Sequence, residues 1–181
     1  MNGQALPRIT LILGGARSGK SRHGEQLIES ALGGDYYESA TYLATAEALD
    51  DEMKARVAEH RARRGDAWRT VEEPMNLVGA LTANADPARP ILVDCLTLWL
   101  TNIMVAGRDT DAETQSLVAA LQELGGPVML ISNEVGLGIV PDNALAREFR
   151  DRAGRLNQDI AAVADRVTFI AAGLPLILKG Q

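Results

Sequence analysis

A short glycine-bearing stretch near the start of the chain has the residue types and spacing of a phosphate-binding loop. It comprises Gly14, Gly15, Ala16, Arg17, Ser18, Gly19, Lys20 and Ser21. In the pattern G-x-x-x-x-G-K-[ST], the glycines let the backbone turn its N–H groups toward a polyphosphate, and the lysine reaches the outer phosphates. The hydroxyl of Ser21 would ligate Mg²⁺ or a similar divalent cation. The pattern therefore predicts a nucleoside triphosphate as ligand, and its spacing excludes the dinucleotide fingerprint G-x-G-x-x-G.

Two acidic residues lie at the ends of later predicted strands. Asp94 ends the apolar run 91–94, where an acid would hold the Mg²⁺ that bridges nucleotide phosphates, directly or through water. Glu134 follows the strand-like run 128–131 and is a candidate second metal ligand or proton acceptor. For each carboxylate, a purely local capping role remains an alternative at this point.

His60 is a candidate nucleophile. It lies on a predicted helix over about residues 48–64 and extends the apolar stripe that includes Leu49 and Val57. A neutral imidazole can attack phosphorus, and cations such as its neighbours Arg56 and Arg61 would stabilise the resulting phosphoramidate. The alternative is a structural or surface histidine.

Apolar runs alternate with helix-like segments along the whole chain. The predicted strands are 9–13, 40–44, 68–71, 91–94, 128–131, 167–171 and 174–178. The predicted helices are 22–32, 48–64, 75–84, 96–105, 112–124 and about 143–164. This alternation predicts one α/β domain over residues 1–181, with a mostly parallel sheet, helices on both faces, and ligands at the carboxyl ends of the strands. The loop, Asp94 and Glu134 should then share one edge of the sheet.

Several side chains are expected to serve the fold. On the last helix, Leu145, Leu156 and Ile160 belong to the predicted core stripe, whereas Arg150 and Arg152 suit an ion-pair face. Trp99 and the thiol of Cys95 are expected to be buried. The polar side chains of Thr97, Thr101 and Asn102 could line a pocket.

The composition limits the classes of molecule expected to bind this protein. The chain has 181 residues, a formal net charge of −6 and a single cysteine. This acidic balance argues against nucleic acid or a membrane surface as a partner, since binders of those need a broad basic face. One cysteine excludes an intramolecular disulfide, which fits the cytoplasm. We find no signal-peptide pattern and no apolar run approaching ~18 residues, so no membrane span is expected.

Taken together, the motifs resemble the bifunctional adenosylcobinamide kinase/adenosylcobinamide-phosphate guanylyltransferase family of cobalamin biosynthesis. The likeness rests on the phosphate-binding loop, on His60 placed before Trp68-Arg69-Thr70, on residues 94–102 and 149–158, and above all on residues 133–141. It covers nearly the whole chain. It implies a P-loop NTPase fold of the RecA-like, three-layer α/β/α type.

The resemblance also implies two reactions. In one, ATP or GTP phosphorylates the aminopropanol hydroxyl of adenosylcobinamide. In the other, a histidine that matches His60 takes GMP from GTP and passes it to adenosylcobinamide phosphate. Lys20 and His60 would then be the catalytic residues. Mg²⁺ would be held by Ser21, Asp94 and Glu134, and Asp94 would also contact the nucleotide. Further nucleotide contacts are assigned to Arg56, Arg61 and Glu72. Family members are similar in being cytoplasmic homotrimers.

Two other functions remain open from the residues alone. One is a P-loop kinase that phosphorylates a small metabolite without a covalent intermediate. The other is a nucleotide-sensing regulatory module, which the absence of an arm or tail for a partner disfavours.

Overall fold

The structure is a computed structural model that describes residues 5–33, 37–46 and 67–180. Its strands are β1 (Ile9–Gly14), β2 (Ala40–Ala44), β3 (Trp68–Glu72), β4 (Ile91–Asp94), β5 (Val128–Asn133), β6 (Arg166–Ala171) and β7 (Leu174–Lys179). Its helices are α1 (Lys20–Ala31), α2 (Leu77–Asn84), α3 (Leu96–Val105), α4 (Thr110–Glu123) and α5 (Ala144–Val163). The predicted helix 48–64, with Arg56, His60 and Arg61, lies outside the described residues.

The described strands form one sheet in the order β3-β2-β4-β5-β1-β6-β7. Neighbouring strands are parallel except β6 and β7, which form an antiparallel pair. β5 lies between β1 and β4, with Asn133 opposite Gly14 and Ile131 opposite Asp94. The phosphate-binding loop and Asp94 therefore lie at the same edge of the sheet, as the sequence predicts.

Helices cover both faces of the sheet. Because side chains alternate along a strand, Ile12 packs on one face with Ile28 of α1, while Leu11 packs on the other. That second face carries the larger cluster, which includes Trp99 of α3, Leu121 of α4 and Leu156 of α5. The central strands β1, β2 and β5 are buried almost throughout, which explains their continuous apolar sequences. The predicted three-layer α/β/α architecture is confirmed.

The last helix departs from the prediction at one end. Leu156 and Ile160 are buried as expected, but Leu145 is 67% exposed, so its assignment to the core stripe is wrong. The helix begins at Ala144, capped by the side chain of Asn143, and its first turn does not reach the core. The predicted ion-pair face is confirmed by contacts of Arg152 with Glu148 (2.8 Å) and of Arg150 with Asp151 (3.0 Å).

Within the described ranges, no helix combines the length and the apolar character that crossing a membrane requires.

Candidate nucleotide-binding site

The predicted phosphate-binding loop joins β1 directly to α1. At Gly14, a Cβ atom would collide with the backbone carbonyl oxygen of Ile170 and lie 2.8 Å from Ser18 Oγ, so only glycine fits. Gly19 has a φ of 100° and is the N-cap of α1. The Gly173 N–H, in the β6–β7 turn, donates a hydrogen bond to the Ser18 carbonyl at 2.9 Å. The loop is thus held by the neighbouring strands as well as by its own helix.

Lys20 lies inside this loop rather than in solvent. Its side chain is buried, and Nζ donates to the Gly15 carbonyl oxygen at 2.6 Å. Burial lowers the pKa of Lys20, and the thiolate form of Cys95 and the Asp94 carboxylate oppose that shift. The Asp94 carboxylate is therefore close enough to act electrostatically on the lysine of the loop.

Asp94 is oriented by a tyrosine from the neighbouring strand. The Tyr42 hydroxyl donates to Asp94 Oδ2 at 2.7 Å. Tyr42 is 6% exposed, and its ring packs edge-on against Trp68 with centroids 6.4 Å apart. Sequence reasoning missed Tyr42, because the pairing of β2 with β4 brings it beside Asp94 and no local pattern shows that pairing.

A polar clamp joins the loops that leave β2 and β4. Thr45 Oγ1 donates to the Cys95 carbonyl at 2.7 Å and accepts from the Cys95 N–H at 2.9 Å. Asn102 Nδ2 donates to the Thr45 carbonyl at 2.9 Å and to the Pro74 carbonyl at 3.1 Å. Asn102, which could have lined a pocket, instead fixes backbone at the edge where the loop lies. The thiol of Cys95 is buried, and burial raises its pKa, as expected for a structural cysteine.

The end of β5 connects the loop to two helices. Asn133 Nδ2 donates to Thr97 Oγ1 of α3 at 2.8 Å, and Asn157 Nδ2 of α5 donates to the Asn133 carbonyl at 3.3 Å. Next to it, the Glu134 N–H donates to the Gly14 carbonyl at 3.0 Å. The Glu134 carboxylate accepts from the Gly136 N–H at 2.6 Å. Glu134 therefore adjoins the phosphate-binding loop, with its carboxylate making a local hydrogen bond.

The oxygen donors at this edge suit a hard cation. Among the described residues, no cluster of three or more His, Cys, Asp or Glu side chains could enclose a metal on its own. The predicted ligands Ser21, Asp94 and Glu134 offer a hydroxyl and two carboxylates, which are donors that Mg²⁺ accepts alongside phosphate oxygens. Glu72, an exposed residue at the carboxyl end of β3, lies along the same edge.

A parallel sheet that leads into a glycine-rich loop and a helix, with an acid on a nearby strand, defines a P-loop nucleotide-binding protein. The fold agrees with solved structures. The flagellar accessory protein FlaH from Methanocaldococcus jannaschii matches with a TM-score of 0.60 and 15% identity, covering 97% of this chain and 80% of that one. A second solved structure, an ATPase domain, matches with a TM-score of 0.50 and 14% identity, covering 91% of this chain and 70% of that one.

Sequence comparison assigns the family. The model of the CobU family, cobinamide kinase / cobinamide phosphate guanyltransferase, matches residues 10–178, and the chain belongs to this family of transferases. The bifunctional adenosylcobalamin biosynthesis protein CobP of Pseudomonas aeruginosa is 52% identical over 174 residues, with 94% of this chain and 97% of the relative covered. The corresponding protein CobU of Escherichia coli is 44% identical, with 94% and 99% covered. The resemblance stated from the motifs is confirmed.

Proposed function

We propose that this chain carries out both reactions of its family. It phosphorylates the aminopropanol hydroxyl of adenosylcobinamide with a nucleoside triphosphate, and it transfers GMP from GTP to adenosylcobinamide phosphate, giving adenosylcobinamide-GDP. The observation that carries the proposal is the family match over residues 10–178, in a chain whose phosphate-binding loop is fully formed.

The kinase reaction uses the loop at Gly14–Ser21. Backbone N–H groups and the Lys20 ammonium hold the nucleotide phosphates, so that the terminal phosphorus faces the substrate hydroxyl. The hydroxyl oxygen forms a bond to that phosphorus while the bond to the departing diphosphate breaks. Burial of Lys20 keeps water away from its charge and strengthens its attraction for the charge that develops on the phosphate oxygens.

The divalent cation is assigned to Ser21 and Asp94, with Glu134 as a further ligand or proton acceptor. A divalent cation held there would supply positive charge against the phosphates of the nucleotide. The Tyr42 hydroxyl holds one oxygen of Asp94, and the second oxygen has no hydrogen-bond partner within the described residues. Asp94 therefore has a fixed direction and an available donor atom.

In the guanylyl transfer, His60 is the covalent carrier. Its neutral imidazole attacks the α-phosphorus of GTP, a P–N bond forms, and the bond to pyrophosphate breaks. A phosphate oxygen of adenosylcobinamide phosphate then attacks the same phosphorus, and the P–N bond breaks to regenerate the imidazole. Arg56 and Arg61 supply positive charge to the phosphate oxygens, and Glu72 contacts the nucleotide.

The test follows the covalent intermediate. The protein is incubated with GTP labelled at the α-phosphate and denatured, and the bound label should be acid-labile and base-stable. The chain has two histidines, so His60→Ala should lose the label, whereas the matched variant His23→Ala, changed in α1, should retain it. Equal labelling of His60→Ala and wild type would refute the carrier assignment.

The kinase reaction is measured on the same protein preparations. Lys20→Ala should abolish phosphate transfer to adenosylcobinamide, and retained turnover would contradict the loop assignment. Phosphate transfer by a wild type that never becomes labelled would instead identify a P-loop kinase without a covalent intermediate.

We also propose that the protein is a cytoplasmic homotrimer. All six residues of the edge strand β7 are exposed, including Leu174, Leu176, Ile177 and Leu178. Among the described strands β7 lies at the edge of the sheet, and exposed apolar surface at such an edge is typical of a face covered by another chain. Sedimentation should give three times the 19.4 kDa mass of the chain, and a monomer at micromolar concentration would contradict the proposal. The free buried thiol of Cys95 fits a reducing compartment.

A further inference from the structure

A polar cavity of about 290 Å³ lies among α3, α4 and α5. Its wall is formed by Leu100, Thr110, Asp111, Thr114, Gln115, Arg152, Arg155, Leu156, Gln158 and Asp159. None of these residues belongs to the predicted nucleotide site, and the two reactions proposed above leave the cavity without a role.

One part of the wall is rigid and the other is available to a ligand. Arg152 is fixed by contacts with Thr110, with Glu148 at 2.8 Å and with Asp111 at 3.7 Å. In contrast, five side chains of the wall have no hydrogen bond or ion pair inside the described part of the chain: Thr114, Gln115, Arg155, Gln158 and Asp159. They provide both donors and acceptors.

The charges of the wall point to a neutral ligand. Two guanidinium groups, Arg152 and Arg155, are balanced by two carboxylates, Asp111 and Asp159, so the formal charges cancel. The N-terminus of α4 is already capped by Asp109, whose Oδ1 accepts two backbone N–H groups. The cavity therefore offers no excess positive charge for a phosphate, and mixed hydrogen-bonding groups of this kind suit carboxamides.

Two helices of the cavity wall, α3 and α5, also contact the edge of the sheet where the phosphates are expected. Leu156 in its wall is followed by Asn157, which donates to the carbonyl of Asn133, the residue opposite Gly14. Leu100 lies one turn after Thr97, whose hydroxyl accepts from the Asn133 side chain. Residues next to the cavity wall on α3 and α5 are thus hydrogen-bonded to the strand beside the loop.

We propose that this cavity binds the peripheral amide side chains of the corrinoid substrate, and this inference rests on the proposed function. The corrin ring carries neutral carboxamide side chains, which match the donors and acceptors of the wall. A volume of about 290 Å³ is at the lower end for small-molecule sites, so it holds side chains of the ring and not the ring itself. The substrate would be anchored here while its hydroxyl-bearing arm extends to the phosphate-binding loop.

The test compares two glutamines on α4. Gln115→Ala changes the cavity, and Gln122→Ala is the matched control, an exposed glutamine of the same helix outside it. Loss of one neutral hydrogen bond should raise the KM for adenosylcobinamide about three- to tenfold in Gln115→Ala. Arg155→Ala should raise it by about tenfold or more, because a bond to a charged group is lost. Gln122→Ala should match wild type.

Two further measurements separate substrate anchoring from other roles. Equilibrium dialysis with cobinamide should show the same weakening in Gln115→Ala and Arg155→Ala, while labelling of the protein by GTP alone stays at the wild-type level. Unchanged corrinoid binding, or an equal loss of GTP labelling, would overturn the cavity assignment. A wild type that neither binds nor converts the corrinoid would overturn the proposed function together with it, whereas a fully active wild type with unaffected variants would overturn the cavity alone.

Discussion

Removing the Tyr42 hydroxyl should weaken both the fold and the response to Mg²⁺. Tyr42→Phe deletes one oxygen and keeps the ring that packs against Trp68. The lost hydrogen bond to Asp94 Oδ2 is 2.7 Å long and Tyr42 is only 6% exposed, so solvent replaces it poorly. Hydrogen bonds to charged groups contribute about 1.5–3 kcal/mol. For a chain of this size that corresponds to a fall in Tm of about 3–12 °C.

The same chemical change at Tyr37 provides the control. The Tyr37 hydroxyl accepts a hydrogen bond from the Leu6 N–H at 3.1 Å, and the Tyr37 side chain is 4% exposed. Both partners of this bond are neutral, so its loss should cost only about 0.5–1.5 kcal/mol, and Tyr37→Phe should leave the site unchanged. Thermal unfolding of both variants measures the difference in stability.

A second readout distinguishes orientation of Asp94 from general stabilisation. Phosphate transfer is measured against Mg²⁺ concentration at a temperature where both variants are folded. Tyr42→Phe should require more Mg²⁺ for half-maximal activity, because an untethered carboxylate must be ordered when the cation binds. Tyr37→Phe should show the wild-type requirement. If the two variants lose equal stability and share one Mg²⁺ curve, the positioning role of Tyr42 is refuted.

Two other substitutions test the loop itself. Gly14→Ala should lower the free energy of unfolding by about 1–3 kcal/mol and impair nucleotide binding, because the new Cβ meets the Ile170 carbonyl. Gly15→Ala, whose Cβ has nothing within 4 Å, should leave thermal unfolding nearly unchanged. Equal effects would contradict the predicted close approach. Lys20→Met should abolish nucleotide binding yet stabilise the free protein at neutral pH, because burial lowers the pKa of Lys20 and the charged form is unfavourable there. The wild-type protein gains stability as pH rises above the folded-state pKa of Lys20 toward 10.5, because the unfolded chain then binds more protons than the folded one. The stability advantage of Lys20→Met should therefore shrink as pH rises. A stability difference between the two proteins that stays constant between about pH 7 and pH 10 would contradict this.

Most of the sheet was predictable because its strands are buried on both faces. Strand β4 and helix α3 have the predicted bounds, and β1 extends the predicted run only by Gly14. Helix ends were less certain. The first helix was expected from residue 22 but begins at Lys20, because its N-cap is Gly19 and not a residue with a capping side chain. Leu145 was wrongly assigned to the core, because the helical spacing of apolar residues extends into the first turn of α5, which does not contact the core.

The site was predictable only where its residues form a local pattern. The loop and the acid at the end of β4 each have a recognisable sequence context. The contact of Tyr42 with Asp94 spans 52 positions, and the contact of Thr45 with Cys95 spans 50. Such contacts depend on the order of strands in the sheet. Helical periodicity likewise cannot show that Asn157 bonds to the end of β5.

The resting contact of Lys20 bears on how tightly the protein keeps its nucleotides. Because Nζ already donates to the Gly15 carbonyl at 2.6 Å, a phosphate oxygen replaces an existing partner and does not rescue an unpaired cation. The net gain on binding is smaller than the strength of the new bond, and the carbonyl is available to receive Nζ again when products leave. The loop is thus suited to repeated exchange of nucleotides, and its affinity is expressed most fully where negative charge accumulates during transfer.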